Sequence, residues 1–168
     1  MPTVVGHWYD PPAMTKRGLI ARICEQLASQ LAAISESAQA AHANATSEES
    51  KAENQYDTRA LEASYLAGAQ ANRAAEVRAS LGRYKALTTT DFSDGQAIAL
   101  TALVKLESNR GSAWYFIGPS SGGLEVSHEG ETVLVITPSA PLGQKLLGQE
   151  EGDEFSMGSR EYEIVEVL

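Results

Sequence analysis

Residues 20–45, IARICEQLASQLAAISESAQAAHANA, and residues 56–84, YDTRALEASYLAGAQANRAAEVRASLGRY, carry one spacing on either side of a polar break. In the first, Ile20, Ile23, Leu27, Leu31, Ile34, Ala38, Ala41 and Ala45 recur in steps of three and four. In the second, Tyr56, Ala60, Ala63, Ala67, Gln70, Ala74, Val77, Leu81 and Tyr84 keep the same steps. That is the signature of a single buried stripe on a helix. The surrounding Ala, Glu, Gln and Arg are good helix formers. Two stripes of similar length, parted by Thr46, Ser47, Glu48, Glu49 and Ser50, predict an antiparallel helical hairpin, a coiled coil, over residues 14–87 with its tip near 46–53. Arms of about 30 residues would reach about 45 Å at the helical rise. Alanine dominates the stripe near the tip, where the helices can approach closely, and larger side chains fill the base.

Outward from the hairpin the texture changes. From Thr88 on, Ala97–Leu106, Ala113–Ile117, Thr132–Ile136 and Arg160–Leu168 are rich in β-branched and aromatic residues, with Gly, Pro, Ser or Asn between them. They predict strands, the last alternating Tyr162 and Ile164 with Glu161 and Glu163. Leu142, Leu146 and Leu147 predict a short helix closed by Gly148, and Gly152-Asp153 a turn into one more strand at Glu154-Phe155. The fold class is therefore α+β: a helical hairpin, then a mainly antiparallel sheet domain over 88–168 with one short helix. The polar stretch Thr88–Asp94, with Asp91, reads as the linker. Residues 1–13, with His7-Trp8-Tyr9 and Pro11-Pro12, fit neither pattern and are expected to be a disordered extension, with Thr15 as a cap for the first helix.

Charge divides along the same line. Residues 1–87 hold nine Lys/Arg against nine Asp/Glu, and residues 88–168 hold four against thirteen, so the net charge of −9 belongs to the second half. A surface that tracks phosphates needs clustered Lys and Arg, so strong direct nucleic-acid binding is not expected and a protein partner is. No run approaches the ~18 apolar residues of a membrane span, and the N-terminus lacks the basic start and apolar stretch of a secretory signal. The single cysteine, Cys24, fits a reducing cytoplasm and makes no intrachain disulfide. His7, His42 and His128 lack metal-ligand spacing, and no Gly-rich phosphate loop or nucleophile elbow is present.

One stretch supports a sharper reading. Ile136-Thr137-Pro138-Ser139-Ala140-Pro141-Leu142-Gly143-Gln144-Lys145-Leu146-Leu147-Gly148 runs on through Gly152-Asp153-Glu154-Phe155 to Arg160-Glu161-Tyr162-Glu163-Ile164-Val165-Glu166-Val167. It resembles the C-terminal domain of the bacterial Gre transcript-cleavage factors over about 33 residues. Near the hairpin tip, Glu53-Asn54-Gln55-Tyr56 is similar to that family's Glu-Asn-x-x-Tyr, shortened by one. The resemblance implies an FKBP-like C-terminal fold that docks at the rim of the secondary channel of bacterial RNA polymerase, with the hairpin entering the channel. It implies docking through Ser139, Pro141, Leu142, Gly143, Lys145 and Leu146. It also implies tip residues, Glu48, Glu49, Glu53, Asn54 and Asp57, acting in the polymerase active site. Carboxylates such as Glu49 and Glu53 are hard oxygen ligands suited to helping hold a polymerase Mg²⁺. The chain would then be a monomer and no enzyme, with no cofactor of its own. Ser50 departs from the pattern, standing where the cleavage factors carry an Asp, with Glu49 one place back.

Other readings stay open at this stage. A Gre-like antagonist would occupy the same channel without stimulating cleavage. A coiled-coil adaptor would use only the seam. A prolyl isomerase, prompted by the implied fold, needs a concave aromatic pocket built from Phe92, Trp114, Tyr115, Phe116, Phe155 and Tyr162, and fold alone does not carry activity. Tip carboxylates have a plain role too, at the N-terminus of the second helix, where its dipole favours them. Ser139–Leu146 has one as a turn with a Leu filling the core. Leu61, Tyr65 and Leu66 fall off the seam, as packing for the second domain or as an exposed patch.

Overall fold

A computed structural model describes residues 15–46, 58–93 and 95–168. Helices α1 (Lys16–Thr46) and α2 (Thr58–Lys85) are followed by strands β1 (Leu103–Ser108), β2 (Gly111–Ile117), β3 (Glu125–His128) and β4 (Glu131–Ile136). The short helix α3 (Pro141–Leu146) then leads to β5 (Glu154–Met157) and β6 (Arg160–Val167). The architecture is α+β, as the two periodicities require. The chain divides into two compact units, residues 23–87 in one and Thr88–Leu168 with α1 as far as Arg22 in the other. None of the helices in the described residues is long and apolar enough to cross a membrane.

In the helical unit the stripe is buried at its base and opens along its length. Ile23, Leu27, Val77 and Tyr84 are at most 4% exposed. Leu31, Ile34, Ala38, Gln70, Ala74 and Leu81 are half-buried, and Ala41, Ala63 and Ala67 are exposed. Large side chains close the seam and alanines do not, because a methyl group removes little area from water. The helices run antiparallel. Gln70 Nε2 donates to Ser37 Oγ at 3.4 Å, while Cys24 lies by Lys85, so a step back along α1 answers a step forward along α2. Burial pushes the Cys24 thiol up from its ordinary value, and Lys85 opposes this.

The other unit is built on a six-stranded sheet ordered β3-β4-β2-β1-β6-β5. All neighbours are antiparallel except β2 and β4, which run parallel. Register separates two faces. One presents Val104, Leu106, Ile117, Ile136 and Ile164 to the core, where Leu146 of α3 and Ile98 join them. The other aligns Val126 with Val133, Trp114 with Val133, and Phe116 with Val135, all buried. Further along that same face, beyond Lys105, the residues become Glu107, Glu163 and Glu154, which are exposed.

Two expectations are corrected here. The segment 97–102 is no strand. Thr101 takes a left-handed backbone, φ 76°, rare for a β-branched residue. It breaks any extended run before Leu103, and its Oγ1 accepts from Thr90 N at 3.3 Å. The strand β3 was absent from the sequence reading, because between Glu125 and His128 only Val126 is apolar. The stretch read as a linker is tied down where it is described. Phe92 packs against the core cluster, and Lys16 Nζ sits 4.7 Å from its ring centroid while donating to the Thr90 carbonyl. Burial holds the Lys16 ammonium below its usual value, with Asp91 opposing.

Candidate docking site

Of the two functional groupings expected from sequence, one lies outside the described residues: Glu48, Glu49, Glu53, Asn54 and Asp57. The other is α3 and its approach. Thr137 begins a turn in which its carbonyl accepts from Ala140 N at 3.0 Å. Pro138 and Pro141 stiffen the path, and Pro141 opens α3 at the position where a missing N–H costs nothing. The helix begins on Ala140 without a side-chain cap. Two polar contacts brace the entry instead: Thr137 Oγ1 with Ser139 Oγ at 3.2 Å, and Gln144 Nε2 to the Ser139 carbonyl at 3.1 Å. Gly148 closes the helix at φ 83°, the left-handed cap that glycine supplies, and its N–H reaches the Ile98 carbonyl at 2.9 Å.

Within this mount the six expected residues separate by role. Ser139, Pro141 and Lys145 are exposed and Leu142 is half-buried. Leu146 is fully buried in the core cluster. Gly143 is buried against the Thr137 carbonyl, so close that a Cβ would overlap the oxygen. Gly143 and Leu146 thus fix α3 to the sheet, and the other four are what the solvent meets. Leu147, which the sequence did not single out as a contact residue, is 37% exposed. Its neighbour Leu146 takes the core position, so which of two adjacent leucines faces out depends on the phase of a six-residue helix. That phase is not legible in so short a pattern.

Four of the six aromatic residues, Phe92, Tyr115, Phe155 and Tyr162, are partly buried against one core cluster, and Trp114 and Phe116 lie on the opposite face of the sheet. Phe116 is fully buried, and Trp114 lies beneath Lys105, whose Nζ is 5.5 Å from the ring centroid. Phe155 and Tyr162 stack on each other at 5.4 Å, and Phe92 lies under Lys16. Burial pushes the Tyr115 phenol up; Tyr162 adds to this and Arg160 opposes it. The described residues contain no group of three or more His, Cys, Asp or Glu able to hold a metal.

Fold and site together define a two-unit α+β protein, an antiparallel helical pair with a separate sheet unit carrying a rigid exposed turn. Neither a family model nor a curated protein matches the chain. Among solved structures it is similar to the GreA factor homolog Gfh1 of Thermus thermophilus, at 23% identity over 86% of this chain and 94% of that one, with a TM-score of 0.35. A second structure, of the transcription factor Gfh1, is 24% identical over 92% and 95% of the two chains, TM-score 0.36. Thermus aquaticus Gfh1 is 21% identical over 92% and 96%, TM-score 0.36.

Proposed function

We propose that the chain binds bacterial RNA polymerase, docking residues 88–168 at the rim of the secondary channel and carrying the tip of the helical pair inside to modulate elongation, pausing or transcript cleavage. The reading rests chiefly on the Ser139–Gly148 segment. Its sequence resembles the Gre docking stretch, and its Ser139, Pro141 and Lys145 stand exposed on a braced turn. Helices α1, to Thr46, and α2, from Thr58, precede it in the order such a factor needs, and the sequence between them carries Glu48, Glu49, Glu53 and Asp57. The chain is then no enzyme itself. It acts in the cytoplasm as a monomer and lends carboxylates, Glu49 and Glu53 first, to the polymerase Mg²⁺, with no cofactor of its own.

A second reading has a specific observation in its favour. Ser50 stands where the cleavage factors carry an Asp, with Lys51 beside it. A cation and a hydroxyl in place of a carboxylate weaken a metal-holding tip, which favours an antagonist that fills the channel without stimulating cleavage. Transcript shortening in a backtracked elongation complex separates the two. Acceleration that vanishes in Glu53→Ala identifies a cleavage factor. No acceleration, with loss of the cleavage stimulated by an added Gre factor, identifies the antagonist. If the protein neither accelerates nor suppresses cleavage and does not bind polymerase, both readings fall.

A further inference from the structure

The sheet has one half-face that nothing among the described residues covers, and it ends at a free edge. Strand β5 is last in the sheet order and pairs only with β6, so its outer N–H and C=O groups are open to another strand. Register sets Glu107 opposite Glu163 and Glu163 opposite Glu154, three exposed carboxylates in one row across β1, β6 and β5. Like charges directly opposite destabilise a sheet, and among the described residues neither these three nor Glu161 is held in an ion pair. On the other face, the half-buried Phe155, stacked on Tyr162, gives the same edge an apolar side. A groove of about 440 Å³ at this edge is lined by Glu107, Glu154, Phe155, Glu161, Tyr162 and Glu163 among others.

We propose that this edge takes an extended segment of a partner protein as an added strand, one that alternates Lys or Arg with apolar residues. Both halves of that alternation are set by the geometry. Successive side chains of a strand point to opposite faces, so an incoming strand beside β5 places every second residue next to Glu154 and the row behind it. Its other residues lie next to Phe155. Main-chain hydrogen bonds supply affinity, and the two faces supply selection. A cation beside the carboxylate row offsets their mutual repulsion. An acidic segment is rejected on one face, and a uniformly basic one leaves Phe155 uncovered.

An eight-residue capped peptide alternating Lys and Val, titrated into the full chain, tests this by fluorescence anisotropy and amide chemical shifts. Shift changes are expected at Glu154–Met157 and in β6. Affinity should fall about tenfold or more in the triple variant Glu107→Gln, Glu154→Gln, Glu163→Gln, as expected when charged pairs are removed from a contact. A peptide with Pro in place of both members of its central Lys-Val pair should lose binding similarly, since one of those two N–H groups faces the ladder whichever way the strand runs. The variant should melt no lower than the parent, since it removes like-charge neighbours, so weakened binding is not explained by unfolding. Absence of binding, equal affinity for the Pro peptide or for the triple variant, or shifts centred elsewhere would each overturn the proposal.

Discussion

Gly143 and Gly18 occupy places where a single methyl group meets something that cannot yield. At Gly143 the obstacle is the Thr137 carbonyl, which is backbone. At Gly18 a Cβ would lie 2.6 Å from His128 Cε1 and 2.8 Å from Thr15 Oγ1, and the His128 ring is itself buried at 9% exposure. Gly68, on an exposed face of α2, has nothing within 4 Å of the same position. Overpacking costs about 1–3 kcal/mol, whereas Gly to Ala in an open helix interior gains about 0.5–1 kcal/mol. Urea unfolding is therefore expected to place Gly143→Ala lowest, at a loss of about 2–3 kcal/mol. Gly18→Ala should follow within that range, and Gly68→Ala should lie above the parent. Equal effects at Gly143 and Gly68 would mean that α3 is not pressed on Thr137 as described.

Among the elements, the helical pair draws its stability from the base of the seam. Leu27 is 2% exposed and Leu61, on α2 but off the stripe, is 57% exposed. Leu27→Ala should cost about 2–4 kcal/mol, as buried Leu to Ala changes do, and Leu61→Ala less than about 0.5 kcal/mol, as exposed sites do. Thermal melts of the two variants check this, and a comparable loss at Leu61 would place the seam on the wrong helical face. The seam was legible because its period repeats over many turns, and the buried members, Ile23, Leu27, Val77 and Tyr84, are positions the steps of three and four select. Strands β2 and β4 were legible from β-branched and aromatic runs that the sheet buries, and β6 from the alternation of Tyr162 and Ile164 with Glu161 and Glu163. Segment 97–102 has the same composition, but a strained backbone at Thr101 overrides it, and composition cannot register φ. Strand β3 was hidden by the opposite circumstance: three of its four residues are polar, and it is recruited by pairing with β4. In the docking turn the exposed residues and the two anchors were legible as one motif, not as separate roles. Gly143 and Leu146 divide from Ser139 and Lys145 only when the packing is seen.

At the scale of the whole molecule the charge asymmetry acquires a location. The acidic excess of residues 88–168 includes the carboxylate row at the sheet edge, on the face opposite the one α3 packs against, so the sheet unit offers two surfaces of different chemistry. The turn presents Ser139, Pro141, Leu142 and Lys145 with exposed Leu147 beside them. Such a mixture of apolar and polar contacts suits a protein interface, where hydrophobic groups at the centre are rimmed by polar ones. Under the proposed function this turn and the helical pair serve one act, the occupation of the polymerase secondary channel. The direct test is displacement of a fluorescently labelled Gre cleavage factor from core RNA polymerase by increasing amounts of the unlabelled chain. Complete displacement is expected at saturation, with a right-shifted curve for Ser139→Ala, Lys145→Ala. A labelled factor that stays bound under a large excess of the chain would contradict it.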